Sequence, residues 1–309
     1  MPSRTEYFGY DFTNLGPLTT TYDPPASCTT ATTDHIYFAN ATSLELAYGS
    51  AKCDGPEPVG KCYPSGATYD SLLSSYAAYR DQGFWQYFSP GVACPKGWTT
   101  AGTLAHGDKT DSVEKTGVFT QPYPFPTPVN YIMKPEQIWI NFLEPSETLA
   151  YCCPSGWSAG QWGGCFSSIE PLKSATYSEY CNAYAPASAG VEVHTVEGTS
   201  VATPLISWRS VTDLTTRTMA ISDLKDSRPT AFDDLAVARN LPAVALVYKP
   251  SDVKKAKESD EKSGESEESK DAKADDDNGA STLNGGSFIP LVAVLFSMLV
   301  GAGMLAPGF

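Results

Sequence analysis

Eight cysteines, Cys28, Cys53, Cys62, Cys94, Cys152, Cys153, Cys165 and Cys181, all fall in the first 181 of 309 residues. An even number of thiols in such a stretch points to disulfides in an oxidising compartment or to a structural metal. Zinc sites use closely spaced ligand pairs, whereas this chain has no Cys-x-x-Cys, and its three histidines, His35, His106 and His194, do not fall in a finger spacing. Four disulfides are therefore expected, with no metal and no other cofactor. A bond between the neighbours Cys152 and Cys153 would strain the usual geometry, so each is expected to pair elsewhere. Spacing assigns no partner to any of the eight.

Composition narrows the partners. The chain holds 25 Gly and 24 Pro, above their usual combined share of about 12%. The 18% of charged residues is below the usual quarter, about 25%. Seventeen Tyr and six Trp stand among them, a mixture that suits loop-rich extracellular modules and ordinary all-β cores alike. A net charge of -14 argues against nucleic acid and against docking on anionic lipid, both of which need basic patches. Lys254, Lys255 and Lys257 form the one basic cluster, inside a run that is acidic overall.

The predicted fold class is mostly β or α+β: a small, disulfide-stapled, loop-rich ectodomain with a disordered charged stalk and a C-terminal hydrophobic segment. Residues 1–26 read as an extended N-terminal segment, with Pro24 and Pro25 opposing helix. Residues 27–187 form the Cys-rich ectodomain and residues 188–250 its β-rich continuation. Within them Asp34–Ala47 reads as a strand and turn. Tyr69, Leu72, Leu73, Tyr76 and Tyr79 recur at helical spacing and predict a helix over Thr68–Arg80. Strands are predicted at Gln137–Phe142, Glu147–Cys152, Val191–Thr195, Ala202–Trp208 and Ala243–Tyr248. Asn40-Ala41-Thr42 is the chain's one N-glycosylation triplet. Residues 251–287 read as a charged linker. Sixteen of the 24 residues from Lys254 to Asp277 are charged, too few of the rest being apolar to offset the entropy of ordering. A single charged helix is the alternative, because Lys, Glu and Ala favour helix.

Residues 288–309 are uncharged and mostly apolar. Small residues precede them at Asn278-Gly279-Ala280 or Gly279-Ala280-Ser281, followed by a short polar spacer to Ser287. That order is the signature of a GPI-attachment signal, whose processing site must be narrow-chained while the tail holds the precursor at the membrane. Asn278 and Gly279 are the attachment candidates. A retained transmembrane helix is the rival, since about 20 apolar residues suffice to span. Pro290, Gly301, Gly303 and Pro307 weaken it as a permanent helix. Either route demands secretion, yet Met1–Thr20 lacks the apolar core of a leader. A natural start upstream of Met1 is the expectation.

Two copies of Cys-Pro-x-Gly-Trp, at Cys94–Trp98 and Cys153–Trp157, and a looser one at Cys62–Gly66 predict tight turns pinned by cysteine, with Gly free to take positive φ. Trp98 and Trp157 are expected to cover neighbouring disulfides. The run Cys152-Cys153-Pro154-Ser155-Gly156-Trp157 with Gly163-Gly164-Cys165-Phe166 resembles a pattern in Cys-rich secreted or cell-surface proteins of filamentous ascomycete fungi. Tyr87–Gly91 with Cys94–Ala101, Leu18–Thr21 with Pro24–Cys28, and Pro204–Ser210 are similar too, so the resemblance covers residues 15–215. It implies a signal peptide and often a C-terminal membrane segment, and it carries no activity.

Catalytic chemistry has little support in the sequence. Gly156-Trp157-Ser158-Ala159-Gly160 matches the nucleophile elbow formally. The elbow needs a strand running into the Ser and a helix leaving it, and the surrounding Pro and Gly residues oppose both. His106 with Asp108 and Asp111 reads as a polar loop. Glu45, Asp54, Glu136, Glu144 and Glu147 offer carboxylates, but spacing selects no glycosidase pair. No catalytic residue is assigned. The chain is expected at the cell surface, on the outer face of the plasma membrane or in the wall, as a protein of adhesion or glycan contact. Its expected partners are the membrane, through a lipid anchor or the C-terminal helix, and cell-wall glycans. A glycan-acting hydrolase and a single-pass membrane protein are the alternatives.

Overall fold

Alternation of apolar and polar residues in short runs divides this chain into strands, and a computed structural model shows how they pair. It describes residues 1–29, 34–54, 57–77, 82–107, 113–123, 132–184, 190–208, 215–227 and 232–265. The first compact unit is Met1–Ser263 and the second is Gly264–Phe309. The strands of the first unit are β1 (Glu6–Tyr7), β2 (Tyr10–Asn14), β3 (Ile36–Asn40), β4 (Ser43–Ser50), β5 (Gly83–Tyr87), β6 (Trp98–His106), β7 (Val113–Lys115) and β8 (Thr148–Pro154). They continue with β9 (Ser158–Ala159), β10 (Gly164–Pro171), β11 (Glu179–Tyr184), β12 (Gly190–Val196), β13 (Thr199–Trp208), β14 (Thr215–Ala220), β15 (Leu235–Pro242) and β16 (Val244–Tyr248). The helices are α1 (Gly66–Ala77), α2 (Pro135–Phe142), α3 (Ile221–Ser227) and α4 (Pro250–Glu265).

The protein is thus a mixed α and β fold, dominated by strands and tied by disulfides. Seven strands form one antiparallel sheet in the order β14-β11-β4-β3-β15-β10-β9. Four more form β16-β8-β6-β7, and β1-β2-β5 form a third sheet in which β2 and β5 run parallel. The hairpin β12-β13 stands as a two-stranded ribbon. Strands from both ends of the unit share these sheets. β15 lies between β3 and β10, and β16 pairs along β8.

The largest core is aromatic. Phe12 of β2, Trp85 and Tyr87 of β5, Trp139 and Phe142 of α2 and Tyr151 of β8 are all buried together. Phe12 and Phe142 stack with centroids 3.7 Å apart, and Trp139 meets Phe12 edge-on at 5.0 Å. A second core, on the seven-stranded sheet, gathers Phe38, Tyr180, Leu235 and Val237 under Leu224 of α3. Burial of such surfaces is the main favourable term in folding.

The disulfides are Cys28–Cys62, Cys53–Cys181, Cys94–Cys152 and Cys153–Cys165. The neighbours Cys152 and Cys153 do take different partners. Successive side chains of a strand point to opposite faces, so Cys152 and Cys153 in β8 reach Cys94 and Cys165 on opposite sides. The repeated motif forms matched turns. The Trp98 and Trp157 amides donate to Pro95 O and Pro154 O, each at 3.0 Å, with Gly97 at φ 79° and Gly156 at φ 84°. Those are type II turns, which require positive φ at the third residue. The two turns sit side by side, because Trp98 is paired with Pro154 across β6 and β8 and Ser155 N donates to Gly97 O at 2.9 Å.

The helix predicted over Thr68–Arg80 is α1, and the strands predicted near residues 148, 191, 202 and 243 are β8, β12, β13 and β16. Gln137–Phe142 is corrected. Read as a strand, it is the helix α2, because burial falls on Ile138, Trp139 and Phe142, one helical turn, rather than on alternate residues. Pro135 occupies the first turn, where its missing N–H costs nothing, and the Gln137 side chain accepts from the Lys134 amide at 3.2 Å. The first part of the charged run is helical as α4. Asp252 accepts from the Lys249 amide at 2.8 Å and places its charge at the helix N-terminus. The remainder of the linker, Asn278, Gly279 and the apolar segment 288–309 lie outside the described residues. Among the described residues no helix is long and apolar enough to cross a membrane.

Candidate functional site

The side-chain amide of Gln86 and Oε1 of Glu45 are buried with no hydrogen-bond partner among the described residues. A buried polar atom left unpaired costs about 1–3 kcal/mol, so both mark places where packing alone does not explain the residue. Gln86 lies in β5 between Trp85 and Tyr87, which enter the aromatic core. Strand alternation turns Gln86 to the other face with Phe84. Only 5% of Gln86 is exposed.

Phe84, Trp85 and Gln86 of β5 all border a cavity of about 100 Å³. Tyr63, which follows the Cys28–Cys62 bridge, and Tyr69 of α1 close one side, their ring centroids 4.6 Å apart. Ala243 and Ala245 of the β16 region, Tyr151 of β8 and the Trp162–Gly163 loop close the rest. Asp70 holds α1 in place by accepting from the Val59 and Gly60 amides at 2.8 and 2.9 Å. The loop before β10 is held by Ala243 N donating to Gly163 O at 2.8 Å, with Gly163 at φ 83°.

Most polar atoms of the aromatic walls are already engaged. Tyr63 Oη donates to Ala243 O at 3.2 Å, Trp85 Nε1 to Trp162 O at 3.3 Å, and Trp162 Nε1 to Tyr123 Oη at 3.1 Å. Tyr151 Oη accepts from Trp139 Nε1 at 2.7 Å and retains its own proton to donate. Burial raises the pKa of Tyr63, Tyr69 and Tyr151, so all three stay neutral. No carboxylate or cation lines the cavity among the described residues. Its chemistry is therefore aromatic surface, the Tyr151 hydroxyl and one amide that can both donate and accept.

Glu45 lies in β4, against Gly160. A Cβ on Gly160 would stand 1.5 Å from Glu45 Oε1, so the carboxyl occupies the space that a side chain there would need. Burial raises its pKa to about 7, and the Gln161 backbone N–H, hydrogen-bonded to it, offsets only part of that rise. No neighbouring carboxylate contributes. Folding therefore favours the protonated acid. Stability from this group is full below the unfolded pKa near 4.5 and is lost as pH rises through about 7. Glu45→Gln, neutral at every pH, is expected to be more stable than the parent above pH 8 by about 2 kcal/mol, allowing for partial solvent screening. Denaturant unfolding at pH 5 and pH 8.5 checks it, and equal pH dependence in both proteins would refute it.

The other residues singled out in the sequence are dispersed. Ser158 lies in β9, with Oγ donating to Phe166 O at 3.2 Å, and no helix leaves it. It follows the disulfide-pinned turn Pro154–Trp157 and does not form a nucleophile elbow. His106 is buried with Nδ1 2.7 Å from Gly107 O; Asp108 and Asp111 lie outside the described residues. His194 is exposed, 3.6 Å from Glu192. Glu136 pairs with Lys115 at 2.5 Å, and buried Glu147 accepts from the Glu144 amide at 2.9 Å. Neither Glu136 nor Glu147 lines the cavity. Trp98 and Trp157 pack half-buried on the aromatic core, and Arg239 covers the Trp157 ring at 5.3 Å. Asn40 ends β3, where its Oδ1 accepts from Thr42 N at 2.9 Å, in a hairpin turn whose Ala41 and Thr42 are exposed. Among the described residues no three His, Cys, Asp or Glu converge on a metal site.

Gln86 was not legible as a site residue. The available signal was a single amide inside the otherwise aromatic run Phe84-Trp85-Gln86-Tyr87-Phe88. Comparison of the chain with protein-family models, with curated proteins and with solved structures finds no match.

Proposed function

We propose that this chain is a cell-surface or wall-associated extracellular protein that contacts glycans and does no chemistry on them. The observation that carries the glycan reading is the cavity walled by Tyr63, Tyr69, Phe84 and Trp162 and lined also by Gln86, whose buried amide is unpaired. Aromatic faces with a few placed polar groups are the general make-up of small-ligand sites. Four disulfides support an oxidising, extracellular setting. The small-residue site at Asn278 and Gly279 and the apolar run after it support attachment by a lipid anchor, with a retained helix as the other route. The resemblance to Cys-rich surface proteins of filamentous fungi agrees with that location. A glycan hydrolase would need two carboxyl groups flanking the site, and none lines it among the described residues.

Location is checked by expressing the complete gene and treating intact cells with a phosphatidylinositol-specific phospholipase. Release of protein lacking residues 288–309 is the expected result. Protein that stays bound and retains Phe309 is a single-pass membrane protein instead. A glycan array probed with the secreted unit checks the binding reading; no signal on any glycan would overturn it.

A further inference from the structure

We propose that the Gln86 cavity is a receptor for the acetamido group of an N-acetylated amino sugar. The inference rests on the glycan reading of the same cavity and names the ligand class for it. Size comes first. About 100 Å³ is less than the roughly 150 Å³ of a cavity that holds benzene, so a pyranose ring does not fit. A pendant group of a few heavy atoms does, with the ring outside.

Charge and polarity narrow that group. Among the described residues the walls carry no ionised side chain, so a carboxylate, sulfate, phosphate or ammonium would be buried unpaired at a cost of several kcal/mol. A purely apolar group such as a methyl would leave both polar atoms of Gln86 unsatisfied. An acetamido group is neutral and has a methyl for the aromatic walls. Its carbonyl oxygen can accept from Gln86 Nε2. Gln86 Oε1 can then accept from a sugar hydroxyl at the mouth, and the Tyr151 hydroxyl has a proton left to give. The mouth suits a sugar as well. Phe84, Tyr69 and Trp162 line the cavity and are half-buried, so they offer exposed aromatic surface against which the C–H face of a pyranose can pack.

The design also explains why an amide stands at position 86. Leu or Met would fill β5 without an unpaired buried group, and the fold would gain from it. The unpaired amide has a use only if something meets it.

The test is titration of the disulfide-intact full chain with N-acetylglucosamine and its β-1,4-linked dimer, followed by tryptophan fluorescence, since Trp85 and Trp162 line the cavity. Saturable change with both N-acetylated sugars and none with glucosamine or glucose is expected. Gln86→Leu should weaken binding about tenfold, the usual value of a lost neutral hydrogen bond, while melting no lower than the parent. Gln86→Met, of similar length, guards against a packing artefact. Equal response to glucose, or unaltered affinity in a folded Gln86→Leu, overturns the acetamido assignment. The array separates this outcome from failure of the broader reading. Binding to glycans without acetamido groups, unaffected by Gln86→Leu, refutes the receptor and leaves glycan contact standing; silence on every glycan removes both.

Discussion

Trp139→Ala is expected to lower the unfolding free energy by about 4 kcal/mol, the upper part of the range for deleting a fully buried large aromatic. Trp139 has no exposed surface. It joins α2 to three separate strands, meeting Phe12 of β2, Trp85 of β5 at 5.5 Å and Tyr151 of β8 at 6.3 Å between ring centroids. Truncation would therefore open a space bordered by rigid rings, which cannot collapse into it. It would also remove the donor to Tyr151 Oη. Trp139→Phe separates the two effects, restoring most of the volume without the N–H, and should recover more than half of the loss. Guanidinium unfolding under non-reducing conditions measures both variants. A loss below about 1 kcal/mol for Trp139→Ala would mean that α2 is not part of the cooperative core.

The second large effect is expected from the double variant Cys53→Ala, Cys181→Ala. This bridge closes the longest loop of the four, with a sequence separation of 128, for which chain entropy implies about 4–5 kcal/mol. Its position adds a local consequence. β4 and β11 are joined in the ladder by a single pair, Ser50 with Cys181. Their backbones meet closely at Gly49, where a Cβ would stand 2.6 Å from Cys181 O. The disulfide thus reinforces a join between the β11–β14 pair and the rest of the seven-stranded sheet that otherwise rests on one ladder pair and on Tyr180 packing in the second core. Without it, amide exchange in β11 and β14 should quicken at least tenfold more than in β6 and β8, which feel only the loss of global stability. Uniform acceleration across both sheets would show that the bridge acts only on the unfolded chain.

Legibility of the fold followed the range of the interaction. Turns were readable, because Pro and Gly impose their φ angles locally; both Cys-Pro-x-Gly-Trp copies form the turns that their residues dictate. Strands with β-branched residues, such as Val244–Tyr248, were readable for the same reason. Gln137–Phe142 was not, since a six-residue apolar run satisfies either period and tertiary packing decides between them. Pairing of the cysteines depends on which strands adjoin, and only the different partners of Cys152 and Cys153 followed from local geometry. The candidate site lies at the far end of that scale. Glu45 was visible as one carboxylate among several, but its raised pKa comes from burial, in a place where it packs against Gly160, more than a hundred residues away in sequence. Gln86 becomes noticeable only when Tyr63, Tyr69, Tyr151 and Trp162 are brought around it.

The place of β15 and β16 has a consequence for synthesis. Both strands come at the end of the unit, yet β15 fills the gap between β3 and β10 and β16 completes the border of β8. A chain leaving the ribosome N-terminus first has exposed all of its thiols by residue 181, well before residues 235–248 emerge. During that interval β3, β8 and β10 present bare edges, and sulfur can be oxidised while its eventual neighbours are not yet set. Non-native bridges formed then must be reshuffled once β15 docks, so correct maturation depends on thiol exchange staying open until the last strands arrive.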